Sequence, residues 1–325
     1  MNYRKVKKEN IKKTYLVMGL YISIFLVLGL LGETILTTMS LPSDAGLISA
    51  MIYTFQNIFS GNHFPVFTLG MVAVSVGMIF VTIKFGNKIM MRGSENIKLN
   101  DKEELSHDER QILNIVEELK ISSRVRFMPD VYIIEADYMN AFASGWKEEN
   151  SMVAITRGLL NKLNRAEVEA VLAHEMAHIK NADIRLTLIV GVLTNVMLFA
   201  VDILFYSTLG RRSGENKAAN QAQVVILILR FVLPLLTLVL QMYLSRKREL
   251  MADAGSVEFT GNKDAMVSAL KKISGDYDER KEAGFDDNDN PTRQFAQIFS
   301  PAEMFSTHPT IEERIDNLEG LKRKR

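Results

Sequence analysis

The chain has 325 residues, 47% of them hydrophobic, enough for one or two domains with a real core. A formal charge of +1 argues against a nucleic-acid binder, whose footprint would be a strongly basic domain. With no cysteine, disulfides and thiolate metal sites are excluded, which fits a reducing compartment and leaves any metal to the five histidines and the carboxylates.

The first elements are apolar. Thr14 to Gly32 (TYLVMGLYISIFLVLGLLG) and Pro65 to Ile83 (PVFTLGMVAVSVGMIFVTI) are each nineteen residues without a charge. Each is long enough to cross a hydrocarbon core of about 30 Å as a helix. Six basic residues precede the first run, but its length exceeds a signal-peptide core and no clear small-residue cleavage site follows, so a retained helix is expected. Residues 33 to 64 carry no Lys or Arg, whereas Lys84, Lys88 and Arg92 follow the second run. The distribution of basic residues therefore places both ends of this hairpin, residues 1–84, on the cytoplasmic side of a bacterial-type cell.

Residues 85–185 read as the first part of a soluble domain. A helical pattern covers 108–120, strands are expected at 131–136 and 151–156, and MNAFASG between them is a further extended piece. Asn164 with Glu167 three positions on forms a capping-box start, and Val168, Leu172, Met176 and Ile179 then recur at helical spacing. A second apolar hairpin, 186–244, contains the runs 186–210 and 224–244, each with one charge, Asp202 and Arg230. Each lies six residues from the loop-side end of its run, so at 1.5 Å per residue both sit roughly 9 Å deep, and an ion pair between the helices is expected. Residues 245–325 are soluble again, and Gly275 to Pro291 is polar enough to be read as a mobile loop, with a lid over the cleft as its sharper reading.

The chemistry concentrates in AVLAHEMAHIKNAD, residues 170–183. His174 and His178, four apart on a helix, project from one face and can reach one tetrahedral zinc. Glu175 points to a neighbouring face, so it cannot ligate beside them but can act as general base on water. The bland alternative is a pair of surface histidines. A catalytic zinc also needs a third protein ligand and an open position, and the candidates are a distant His or a carboxylate. In SRKRELMADAG, residues 245–255, Glu249 could complete the set, and Asp253 could hydrogen-bond the second nitrogen of a ligating histidine. These two segments flank the second apolar hairpin, so they can share a metal only if the chain crosses twice or re-enters. Arg211, Arg212 and Lys217 in the connecting loop weigh against a full exit to the far side.

AHEMAHIKNAD, SRKRELMAD after two apolar segments, MNAFASG and STHPTIEERI together resemble the HtpX-type membrane metalloproteases. The wider gluzincins, CAAX-prenyl endopeptidases included, share the HExxH plus ExxxD plan. The resemblance covers almost the whole chain. It implies an α-helical membrane protein with about four apolar helices and an α+β zincin-like cytoplasmic catalytic domain, formed by 85–185 and 245–325. It also implies one Zn2+ per chain on His174, His178 and Glu249, with Glu175 as base. It further places His308 as a donor to the oxyanion and Arg314 as a tie between the C-terminal segment and the active-site helix, where a His-Pro turn and a surface arginine are the plain alternative. Asn140, Ala141, Phe142 and Ala143 would be an edge strand that pairs with substrate backbone, against the alternative of an ordinary interior strand. The chain departs from the family in reading HPT where HPP is frequent, and in its acidic 275–291 segment.

The expected function is a multi-pass zinc endopeptidase of the bacterial inner membrane, cutting misfolded or damaged membrane proteins at the cytoplasmic face. Its partners would be protein or peptide substrates and the lipid bilayer, with no nucleic acid and, lacking a Walker A loop, no ATP site. The rivals are a specific processing peptidase of the CAAX-prenyl type and a non-catalytic metal-binding scaffold.

Overall fold

The computed structural model describes residues 3–37, 41–42, 44–209, 217–282 and 309–320. In chain order its elements are α1 (Tyr3–Thr37), α2 (Leu47–Phe59), α3 (Val66–Met91), β1 (Asn96–Lys98), α4 (His107–Ser123), β2 (Asp130–Ile134), β3 (Ala141–Ser144) and β4 (Met152–Thr156). Then follow α5 (Arg157–Lys162), α6 (Arg165–Asn181), α7 (Ile184–Leu209), α8 (Lys217–Thr260), α9 (Lys263–Glu282) and α10 (Ile311–Glu319). They divide into two compact units, one of Met1–Thr14, Thr82–Gly191 and Leu240–Arg325, the other of Tyr15–Val81 and Val192–Val239.

The first unit is built on a sheet of order β1-β2-β4-β3, with β2 and β4 parallel and the outer pairs antiparallel. β4 is buried at all five positions, so both faces of this central strand are covered. Its core joins Ile115 and Leu119 of α4, Val131 and Ile133 of β2, Val153 and Ile155 of β4, and Val171, Leu172 and Met176 of α6. Two capping boxes fix where the main helices start. Ser106 and Glu109 close α4, and Asn164 and Glu167 close α6, each satisfying backbone donors that would otherwise be orphaned. The strands expected at 131–136 and 151–156 are β2 and β4, and MNAFASG supplies β3, which lies at an edge of the sheet.

The polar segment from Gly275 is a correction. Residues 275–282 continue α9 as helix, and only 283–291 lie outside the described residues. Charged Asp, Glu, Lys and Arg misread as loop because most of them are also good helix formers. Asp276 anchors the extension: it is buried, accepts from the Met139 backbone N–H at 3.2 Å and pairs with Lys162.

The second unit is apolar outward as well as inward. α1 buries Val17, Tyr21, Phe25 and Leu28 on one face while Leu16, Leu26 and Val27 stand exposed on the other. Among the described residues four helices are long and apolar enough to cross a membrane, Tyr3–Thr37, Val66–Met91, Ile184–Tyr206 and Lys217–Thr237. Apolar helices gain little from mutual burial in lipid, so close approach and polar links hold them. A Cβ on Gly32 would come within 2.2 Å of the Phe67 ring, so only glycine lets α1 and α3 meet there. The Tyr21 hydroxyl lies 2.6 Å from Thr194 Oγ1. Arg230 Nε lies 2.7 Å from Asp202 Oδ1, the interhelical pair that their matched depth predicts, and its guanidinium also covers the Phe205 ring at 4.9 Å.

Reversing either charge alone, Asp202→Arg or Arg230→Asp, lowers the thermal midpoint of the detergent-purified protein, and the double exchange restores most of the loss. Absence of rescue refutes a pairwise role. A second outcome follows from Glu167. Burial pushes its pKa up, but the Lys272 ammonium, the Ser268 hydroxyl and the Asn164 backbone N–H outweigh burial and hold it below the usual range. Its contribution is therefore complete above the unfolded-state value near about 4.3 and is lost as pH falls through the lower folded value. Glu167→Gln loses about 1–3 kcal/mol at neutral pH. Its stability then declines less steeply on acidification than the wild type's, as read from unfolding midpoints across the acid range.

Candidate active site

α6 carries both histidines: His174 is fully buried and the His178 side chain is 15% exposed. α8 brings Glu249 to face them. It can lie this close because position 255 is glycine, where a Cβ would sit 2.7 Å from Ala177 Cβ of α6. At the next position on α8, Ser256 Oγ donates to the Ala170 carbonyl at 2.6 Å. Between them these contacts fix the register of α8 against α6.

Three side chains converge. His174 Nε2 and His178 Nε2 are 3.1 Å apart, and the Glu249 oxygens lie 3.4 Å from the first and 3.6 Å from the second. A tetrahedron with bonds of about 2.0–2.1 Å has edges of roughly 3.3 Å, so the spacing suits one small cation. The far side of each ring supports the same reading. His174 Nδ1 lies 2.9 Å from Asp253 Oδ1, and His178 Nδ1 lies 3.1 Å from Asp183 Oδ1. A carboxylate on each Nδ1 fixes the Nδ1–H tautomer, which turns two Nε2 lone pairs toward each other. Such an arrangement repels unless a cation stands between, so the donor set fits a metal ion.

The charges point the same way. Burial opposes a charged His178, yet Asp183, Glu249 and Glu175 overcome it and push its pKa up to about 10. His174 is raised too, burial being outweighed by Asp253 and Glu249. Burial pushes Glu175 up against the opposing pull of the two imidazoles. The carboxylates around the two imidazoles thus favour positive charge between them, which a metal cation would supply in competition with protons.

Asp253 is held well below the ordinary carboxylate range: its burial is offset by Arg314 and by His174. Arg314, 1% exposed, grips it in a two-pronged contact, Nε to Oδ2 at 2.9 Å and an Nη to Oδ1 at 2.6 Å. Arg314 stands on α10, whose start is capped by Thr310 accepting from the Glu313 N–H. His308 lies outside the described residues.

Glu175 accepts from the Ala143 backbone N–H, which joins the edge strand to the histidine helix. Thr156 N–H donates to the Asn140 carbonyl at 2.9 Å, so in an antiparallel ladder Asn140, Phe142 and Ser144 bond to β4. Ala141 and Ala143 then turn their backbone groups to the outer side. The structure thus gathers His174, Glu175, His178, Glu249, Asp253, Arg314 and Ala143 in one place, with Asn140, Ala141 and Phe142 along the adjoining edge.

Asp183 was not among the residues singled out by sequence. It reaches back to His178 because Ala182 turns through a left-handed conformation, φ 55°, where glycine is the usual occupant. The Asp183 carbonyl meanwhile accepts from the N–H groups of Leu186 and Thr187 and so opens α7. The only signal was an acid five residues past the second histidine, a spacing that a continuous helix would send elsewhere.

Two helices that present His-His and Glu to one point, with a buried glutamate beside the first histidine, define a metallopeptidase centre. Residues 106–322 match the model of Peptidase family M48. Over 318 residues the chain is 42% identical to the "Protease HtpX homolog" of Helicobacter acinonychis (strain Sheeba), covering 98% of each chain. It is 36% identical over 261 residues to the homolog of Dictyoglomus turgidum, covering 78% of this chain and 83% of that one. The crystal structure of S. mikatae Ste24p aligns with a TM-score of 0.48 at 20% identity, over 82% of this chain and 61% of that one. The chain belongs to Peptidase family M48. It is a metalloendopeptidase of the membrane.

Removing the carboxylate behind either ligand lowers metal affinity about 10–100-fold. Asp183→Ala does this with little loss of fold, whereas Asp253→Ala also strands buried Arg314 and costs about 3–5 kcal/mol of stability. A competition titration with a chromophoric chelator, run beside thermal unfolding, separates the two. Equal metal affinity in Asp183→Ala and wild type would refute the role of Asp183.

Proposed function

We propose that the chain is a zinc endopeptidase of the bacterial inner membrane that hydrolyses misfolded or damaged membrane proteins at the cytoplasmic face. The observation that carries the catalytic part is Glu175, buried beside the His174, His178 and Glu249 cluster and bonded to the edge strand. His174, His178 and Glu249 would hold the metal, and two nitrogens with one carboxylate oxygen is a donor set that suits zinc and leaves a fourth position open. Bound there, the metal polarises the scissile carbonyl and acidifies water.

The chain's own residues do the rest. Glu175 takes the proton of the attacking water and passes it to the leaving amine, so cleavage releases a neutral amine. Asp253 and Asp183 keep both rings in the ligating tautomer. The outward backbone groups of Ala141 and the carbonyl of Ala143 offer an extended substrate a strand to pair with, which holds its scissile bond near Glu175. Recognition through main-chain hydrogen bonds is tolerant of sequence, as a protease of unfolded substrates requires. The cytoplasmic assignment is supported by Lys84, Lys88 and Arg92 after the second apolar run and by the basic residues before the first.

The test is cleavage of an unfolded membrane protein by the purified, zinc-reconstituted chain beside Glu175→Gln, with metal content measured in both. The expected result is equal zinc and a loss of roughly two to four orders of magnitude in kcat for the variant. If both hold zinc and neither cuts, general proteolysis falls, and a narrow processing specificity takes its place.

A further inference from the structure

The segment between the first two apolar runs contains α2, thirteen residues without a charge. Ile48, Ile52, Phe55 and Phe59 recur at spacings of four, three and four, which puts them on one helix face. They are 75%, 53%, 39% and 86% exposed. The opposite face is closed: Ala50 and Thr54 are buried, and Thr54 Oγ1 lies 2.6 Å from Thr37 Oγ1 at the end of α1. The helix start is held as well, since the Leu47 N–H donates to Gln221 Oε1 of α8 at 2.7 Å. α2 therefore packs through its smallest side chains and turns its largest outward, the reverse of what water selects.

We propose that α2 is an interfacial membrane helix whose Ile48, Ile52, Phe55 and Phe59 face lies among lipid acyl chains at the membrane surface reached by the end of α1. Three observations name lipid as the occupant. From Ala45 to Ile83 there is no Asp, Glu, Lys or Arg, so the charge-free character of α3 extends back through α2 without a break. Exposed apolar side chains resume beyond the turn, at Phe64 and then at Val66 and Leu69 of α3. The level is right too. Counting from Lys13, the last charge before the apolar run, Glu33 lies about 30 Å along α1 and Thr37 about 36 Å, one turn past a hydrocarbon core of that thickness. A helix tied to Thr37 lies in the headgroup zone, where an amphipathic helix rests with its apolar face dipping into the chains.

Glu33 holds that level. It is 2% exposed, with Oε1 2.7 Å from His63 Nε2 and Oε2 accepting from the Thr68 N–H at 2.9 Å. The carboxylate at the core boundary thereby closes the start of α3 and the turn that follows α2. At about 20 Å, α2 is too short to span the bilayer. This reading is independent of the peptidase assignment.

The chain lacks cysteine, so single nitroxide labels can be placed on the full-length protein without background. Ile48→Cys, Ile52→Cys and Phe59→Cys are labelled in phosphatidylethanolamine–phosphatidylglycerol vesicles. Their relaxation by oxygen and by a water-soluble nickel chelate is compared with Leu69→Cys on α3 and Ile121→Cys, 72% exposed on α4. The expected result is that all three match Leu69→Cys, accessible to oxygen and shielded from nickel. Nickel access equal to that at Ile121→Cys overturns the proposal. Low access to both reagents with disulfide-linked dimers of unlabelled Phe59→Cys overturns it too, in favour of a second copy. A milder variant guards against misfolding: Phe59→Trp with Trp146→Phe should be quenched by brominated acyl chains, and unquenched fluorescence counts against lipid contact.

Discussion

Asp253 accepts from Arg314 on one side and from His174 on the other, and it is completely buried. Through this one carboxylate α8, α10 and α6 meet, segments separated in sequence by an apolar hairpin and by the residues between α9 and α10. A lone buried anion would be costly, and the pair is tolerable only because every oxygen is used. Arg314 holds the charge on Asp253, Asp253 holds the proton on His174 Nδ1, and that proton leaves Nε2 free for a metal. Cutting the chain of contacts at Arg314 would change the tautomer of a ligand it does not itself replace. Stability and metal affinity are therefore coupled at this point, which is not so for Asp183 behind the other ring.

The two ligating histidines are supported differently for a reason rooted in the backbone. His174 sits mid-helix and must find its partner on another element, whereas His178 is one turn from the end of α6 and can be served by the same chain after it turns. That turn demands a left-handed residue, and Ala182 occupies it at a cost of about 1 kcal/mol relative to glycine. The same turn starts α7, so the chain enters its apolar segment directly from the residue that orients His178. Arg248 of α8 donates to Thr187 Oγ1 at 3.0 Å, close to that junction. Both apolar segments of the second hairpin thus join the catalytic unit beside a ligand.

Much of this was legible because helices print their faces in sequence. His174 with His178, and Glu249 with Asp253, each repeat at four residues, and Asn164 with Glu167 marked the start of α6. What sequence concealed depends on non-local closure. Asp183 works only through a turn that no glycine announces. The helical course of 275–282 rests on Asp276 finding Lys162 and Met139, more than a hundred residues away. α2 was hidden because its largest apolar side chains face outward, so no core-facing stripe sets it apart from the runs on either side.

The apolar unit is held by what lipid cannot supply. Glu33 with His63 and Thr68, Tyr21 with Thr194, and Asp202 with Arg230 are polar links between helices whose remaining surfaces are largely aliphatic. Each such group would be expensive in lipid without its partner, so the links specify which helices meet more than they add net stability. Gly32 does the complementary work beside the Glu33 link, leaving room for the Phe67 ring against α1. α8 then carries this logic into the soluble part: one continuous helix holds Arg230 among apolar residues and, nineteen positions later, Glu249 at the metal cluster. The third ligand and its neighbour Asp253 thus stand on the same helix as Arg230.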